Sequence, residues 1–108
     1  MRKIVRFNGG VYDWETAEVT ALVTWPLVER VRLAKAKVIE ELLEVEDSAL
    51  NGSSQDVLNE LGDLLEAVFT LGSAFGWSAG AIETSRQEKS KRKGPMTLVY
   101  HVEGKEQQ

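Results

Sequence analysis

Five acidic residues are spaced so that two helices can bring them together. Glu40, Glu41 and Glu44 spell E-E-x-x-E, and after a gap of 15 residues Glu60 and Asp63 spell E-x-x-D. On a helix, at about 100° per residue, the first three fall within an arc of about 100°. Glu60 and Asp63 are neighbours at i, i+3 on a second helix, with Asp56 expected on the same stripe and Glu66 turned away. If the two helices pack antiparallel, Glu41 and Glu44 face Glu60 and Asp63. Four carboxylates at close range do not all ionise cheaply. A hard divalent cation resolves the conflict, because Mg²⁺ takes oxygen ligands from carboxylates, water and substrate phosphates.

An acid-rich helix face is most often a solvated one, so either half of this pattern alone carries little weight. The surrounding charge distribution adds to it. Between Val38 and Ser85 there are ten acids and no Lys or Arg. The basic residues lie on the flanks, at 2–37 and 86–105. A bound cation, or the basic segment at 86–93 folded back, would relieve the repulsion. Lys37, Lys89, Arg92 and Lys93 are candidates for contacting phosphates. At the end of a helix such cations are equally explained by the helix dipole.

The elements that must position these groups can be read from periodicity. Pro26 suits the first turn of a helix, with Thr24 or Trp25 just outside it. Apolar residues at 27, 28, 31, 34, 38, 42 and 45 predict one buried stripe on a helix from Pro26 to about Asp47. Through Val31, Val38 and Leu42 that stripe points roughly away from the acids. Asn51-Gly52-Ser53-Ser54 breaks the helix. A second helix is expected from about Ser54 to Phe75, with Val57, Leu58, Leu61, Leu64, Leu65, Val68 and Phe69 on its apolar face and Gly76 ending it. Ser78 can cap a third helix reaching about Lys91, before Gly94-Pro95. Short strands are expected at residues 3–7, 19–24 and 96–102. Trp25, Phe75 and Trp77 read as core or interface residues, and His101 as structural or exposed.

Composition bounds the rest. The chain has 108 residues, 43% apolar and 28% charged, with net charge −4. That is one globular domain: an N-terminal segment at 1–25, a helical core at 26–93, and a C-terminal strand and tail at 94–108. There is no Cys and a single His, which excludes disulfides, thiolate metal sites and a Cys nucleophile. No apolar run approaches the roughly 18 residues of a membrane span, and the N-terminus lacks a signal-peptide core. A cytoplasmic chain is expected, with no membrane partner. The acidic balance argues against nucleic-acid binding.

The order E-E-x-x-E, then E-L-G-D-L-L-E at 60–66, resembles the MazG-like all-α nucleoside triphosphate pyrophosphohydrolases. It is most similar to the small phosphoribosyl-ATP-pyrophosphohydrolase-like members. The likeness covers about residues 26–102. Lys3-Ile4-Val5-Arg6 matches the family's opening segment, but Phe7 stands where Asp is usual. Gly94-Pro95-Met96 replaces the family's Gly-Gly-Phe turn.

The resemblance implies a mainly α fold: an antiparallel helical bundle with short terminal β-strands, completed by dimerisation. It implies Glu41, Glu44, Glu60 and Asp63 as Mg²⁺ ligands, with Mn²⁺ able to substitute. Glu40 would orient or deprotonate the attacking water, or hold a second metal. Lys89 and Lys93 match basic positions of the family's terminal segment. The implied reaction cleaves a nucleoside triphosphate between its α and β phosphates, releasing pyrophosphate, often to clear aberrant nucleotides. Two other readings stay open: a catalytically weak helical module that binds a nucleotide or protein, and a phosphoribosyl-ATP pyrophosphohydrolase. A short helical chain buries limited area, so a homodimer or dimer of dimers is expected, with the site near the subunit interface.

Overall fold

Three helices account for most of the described chain. In this computed structural model the described residues are 3–4, 25–98 and 103. Helix α1 spans Leu27–Asn51, α2 Ser54–Ser73 and α3 Ala79–Lys93. No strand occurs among the described residues. The expected strand at 19–24 lies outside them, as do most of those at 3–7 and 96–102; Met96, Thr97 and Leu98 are not in a strand.

Each boundary has a local cause. Pro26 caps α1 from just outside it, at φ −55° and ψ 144°; it lacks an N–H, which the first turn does not use. Helix α1 runs four residues beyond Asp47, because nothing from 48 to 51 breaks it. Asn51 Nδ2 donates to Asp47 Oδ1 at 2.9 Å, and the Gly52 N–H closes the end on the Ser48 carbonyl at 2.8 Å. A Cβ at Gly52 would lie 2.9 Å from Asp56 Oδ2 and 3.0 Å from the Ser48 carbonyl, so a side chain there would press the two helices apart. Ser53 and Asp56 then form a capping box. Ser53 Oγ accepts from the Asp56 N–H at 3.2 Å and Asp56 Oδ2 accepts from the Ser53 N–H at 2.9 Å.

The end of α2 is a Schellman-type turn. The Trp77 N–H donates to the Gly72 carbonyl at 3.1 Å and the Gly76 N–H to the Ser73 carbonyl at 3.0 Å. Gly76 supplies the left-handed φ of 83° that this turn requires. Ser78 Oγ caps α3 by accepting from the Ala81 N–H at 3.1 Å. Lys91, Arg92 and Lys93 fill the last turn of α3, where cations complement the helix dipole.

The two-residue link at Gly52-Ser53 makes α1 and α2 an antiparallel hairpin. Helix α3 touches the far end of α2, where Ile82 packs against Gly72.

The buried face differs from the expected one. Among the described residues the only buried apolar side chains are Leu33, Ala34 and Ala67. Val31, Val38 and Val45 are half-buried, but Leu27, Val28 and Leu42 are exposed. On α2, Val57, Leu64, Val68 and Phe69 are half-buried, whereas Leu58, Leu61 and Leu65 are exposed. Phe75 and Trp77 are exposed as well. The hairpin uses one edge of each predicted stripe and leaves the other edge uncovered.

Candidate metal centre

The centre of the hairpin is acidic. Glu41 is 7% exposed and the only buried charged residue described. It lies on the face of α1 that also carries Ala34, so it is directed to α2 and not to water. Two turns along the opposing face from Ala67 lies Glu60. One carboxylate oxygen each from Glu41, Glu60 and Asp63 lie within 4.8 Å of one another. Glu44, one turn on from Glu41 along α1, is exposed and lies outside that trio. Three of the four residues singled out as metal ligands, Glu41, Glu60 and Asp63, therefore converge across the α1–α2 seam.

The electrostatics are those of acids held close together. Burial pushes the Glu60 carboxyl up, and the Glu44 hydrogen bond and the charges of Glu44, Asp63 and Glu41 push it further. Glu41 Oε2 and Glu60 Oε2 are buried without a hydrogen-bond partner. A buried, unsatisfied carboxylate oxygen is costly. Here two of them occur at one place, beside further hard oxygen donors. That donor set, all carboxylate oxygen with no N or S, suits Mg²⁺ or Mn²⁺.

Glu40 stands apart from the four. Its Oε1 lies 3.6 Å from Lys37 Nζ and 3.9 Å from Lys3 Nζ. Lys37 Nζ also meets Glu41 Oε1 at 3.1 Å. Burial opposes the Lys37 charge, but its hydrogen bonds to Glu41 and Glu40 and their charges outweigh that and raise its pKa. Lys37 is thus the cation of the acidic centre, set against two carboxylates. Its spacing, i to i+3 and i+4, was the available signal for this pairing.

Asp56 does not extend the cluster. Its carboxylate is held low by the Ser53 backbone N–H and then by the Ser53 hydroxyl, which is its capping role. Lys89, Arg92 and Lys93 are exposed on α3, with no ion pair to the four acids among the described residues. Arg86 is committed to Glu83, with Nη2–Oε1 2.5 Å. Sequence reasoning missed Arg30, whose Nε is buried without a partner. It lies eleven residues before Glu41 on the same face of α1, at the spacing that also places Ala34 and Lys37 there.

Comparison with known protein families, characterised proteins and solved structures finds no match for the chain. The reading of the site therefore rests on its own geometry and on the motif.

Proposed function

We propose that the chain is a divalent-metal-dependent nucleoside triphosphate pyrophosphohydrolase of the MazG-like type. The observation that carries this is the convergence of Glu41, Glu60 and Asp63, with Glu41 Oε2 buried and unpartnered beside them and Glu44 one turn away on α1. These four residues hold Mg²⁺ or Mn²⁺. When bound, the ion supplies charge neutralisation for phosphate oxygens and Lewis-acid polarisation at phosphorus. The chain's own residues do the rest. Glu40, outside the four and flanked by two ammonium groups, accepts the proton of the attacking water. Lys89, Arg92 and Lys93 bear on the leaving pyrophosphate. Phosphoryl chemistry asks mainly for positioning and charge stabilisation, so no Ser, Cys or His nucleophile is needed.

A second copy of the chain completes the fold in this reading. Leu58, Leu61 and Leu65 recur at steps of three and four along α2 and are 61%, 46% and 52% exposed. Leu42 of α1 adds to the same side of the hairpin. Small domains with so little buried apolar surface ordinarily oligomerise. The helical positions of these leucines lie about 100° or more round α2 from Glu60, so the site opens on a different side from the dimer face.

The test is pyrophosphate release from a panel of ordinary and modified nucleoside triphosphates, with Mg²⁺ or Mn²⁺ against chelator. Metal-dependent release that is lost in Glu41→Gln and Glu44→Gln is expected. A folded, metal-binding chain that releases nothing from any nucleotide refutes the enzyme and leaves a binding module.

A further inference from the structure

Among the described residues Lys37 is the ammonium that meets both Glu40 and Glu41 at the acidic centre, with Lys3 at its edge beside Glu40. Lys37 Nζ lies 3.1 Å from Glu41 Oε1 and 3.6 Å from Glu40 Oε1. It is therefore set between the only two adjacent acids of the E-E-x-x-E motif. Its side chain is 17% exposed, so it is enclosed beside the acids and not swinging in solvent. Glu41 is consequently divided. One oxygen belongs to Lys37, and the other is buried, without a partner, and left for the cluster with Glu60 and Asp63. Glu40 is held away by the same ammonium, with Lys3 at 3.9 Å on the same oxygen.

We propose that Lys37 is a built-in counter-cation that occupies the position between Glu40 and Glu41 which a second divalent ion would need, so that the centre binds one ion per chain. This rests on the metal-site reading above. The physical argument is exclusion. A divalent ion bridging Glu40 and Glu41 would sit about 2.0–2.1 Å from an oxygen of each, as Mg²⁺ does. That place lies between the same two oxygens that the ammonium already faces. Two cations there would repel at contact range, in a setting that screens poorly. Lys37 spends one positive charge where an ion would bring two. It thereby leaves Glu40 as an uncoordinated carboxylate, free to act as a base. It is a positioning residue: it sets which carboxylates coordinate and which does not.

The proposal is tested by counting bound Mn²⁺ per chain, following the electron paramagnetic resonance signal of the free ion during titration. The wild type is expected to bind one, and Lys37→Arg, which keeps the charge, also one. Lys37→Met is expected to bind two. Lys37→Met combined with Glu40→Gln should return the count to one, because the second ion needs both acids. The helical circular dichroism of each variant is recorded beside the count. A wild-type count of two overturns the proposal without recourse to any variant. A folded Lys37→Met that still binds one overturns it while leaving the metal centre standing. A wild-type count of zero removes the metal centre itself, and this proposal with it.

Discussion

Replacing Glu41 by Gln should stabilise the metal-free protein and abolish its response to Mg²⁺. Among the described residues Glu41 is attracted by Lys37 at 3.1 Å and repelled by Glu60 and Asp63, whose oxygens lie within 4.8 Å. Coulomb energies scale as inverse distance, so with every group ionised in a uniform medium two repulsions at 4.8 Å exceed one attraction at 3.1 Å by about a third. Glutamine keeps an acceptor for Lys37 and adds two N–H donors that the surrounding carboxylates can accept. A net gain of about 1 kcal/mol is typical in scale for one substitution, and would raise Tm by about 4–8 °C. Mg²⁺ acts in the opposite sense on the two proteins. At about a hundred times its dissociation constant a ligand adds about 2.7 kcal/mol to the protein that binds it. The wild type gains this, and Glu41→Gln, lacking the buried ligand, does not. The order of the two melting temperatures should therefore invert between chelator and saturating Mg²⁺. The assay is thermal unfolding by circular dichroism at fixed protein concentration, since an oligomer's Tm varies with it. If Glu41→Gln melts below the wild type in chelator, the cluster is not net repulsive. If both respond equally to Mg²⁺, Glu41 is not a ligand.

The pH dependence in chelator follows from Glu60, whose folded-state pKa is raised by burial and by Glu44. A raised acid stabilises the fold fully below the usual carboxylate range and loses that contribution as pH rises through the raised value. The Tm of the wild type should fall relative to Glu60→Gln across that window, and a pH-independent difference would refute the shift. Ser53→Ala removes the hydroxyl that accepts from the Asp56 N–H; it should cost about 1 kcal/mol, read as a lower Tm with Mg²⁺ binding retained. Leu61→Glu places a charge within the exposed leucine face of α2 and should convert a dimer to monomers in sedimentation velocity; an unchanged mass would place the interface elsewhere.

Much of this was legible in the sequence, and the misses share a cause. The helices, the Ser78 cap and the break at Gly52 follow from local propensity and capping, which act over a few residues. The approach of Glu41 to Glu60 and Asp63 followed from spacing plus a short connection. What periodicity could not decide was which edge of a wide apolar stripe faces the partner helix. The stripes on α1 and α2 are each broader than one neighbour can cover. The expected buried stripe through Val31, Val38 and Leu42 fails at Leu42, which is exposed while Glu41 beside it is buried. Asp56 shows how helix ends limit what spacing can say. Its helical position matched Glu60 and Asp63, but at the first turn a carboxylate is claimed by the cap before it can serve a cluster.

That reversal explains why the hairpin is so poorly filled. The seam between α1 and α2 is made by Ala34, Glu41, Ala67 and the half-buried Glu60 and Asp63. Ala34 and Ala67 lie two turns from Glu41 and Glu60 on the same faces, and small side chains there let the helices approach closely. A seam selected for stability alone would carry leucine at 41 and 60, because burying a carboxylate without a full set of partners is unfavourable. With acids in those places, the leucines are displaced to 42, 58, 61 and 65, on the far side of the hairpin. Their burial then has to come from outside the hairpin, which is the physical basis for proposing a second copy on that side. The acidic centre and the exposed leucines are one consequence of one choice of register. A change that pairs the acids with Lys or Arg from the opposite helix, such as Asp63→Lys, should make the monomer more self-sufficient and at the same time remove its use for a metal.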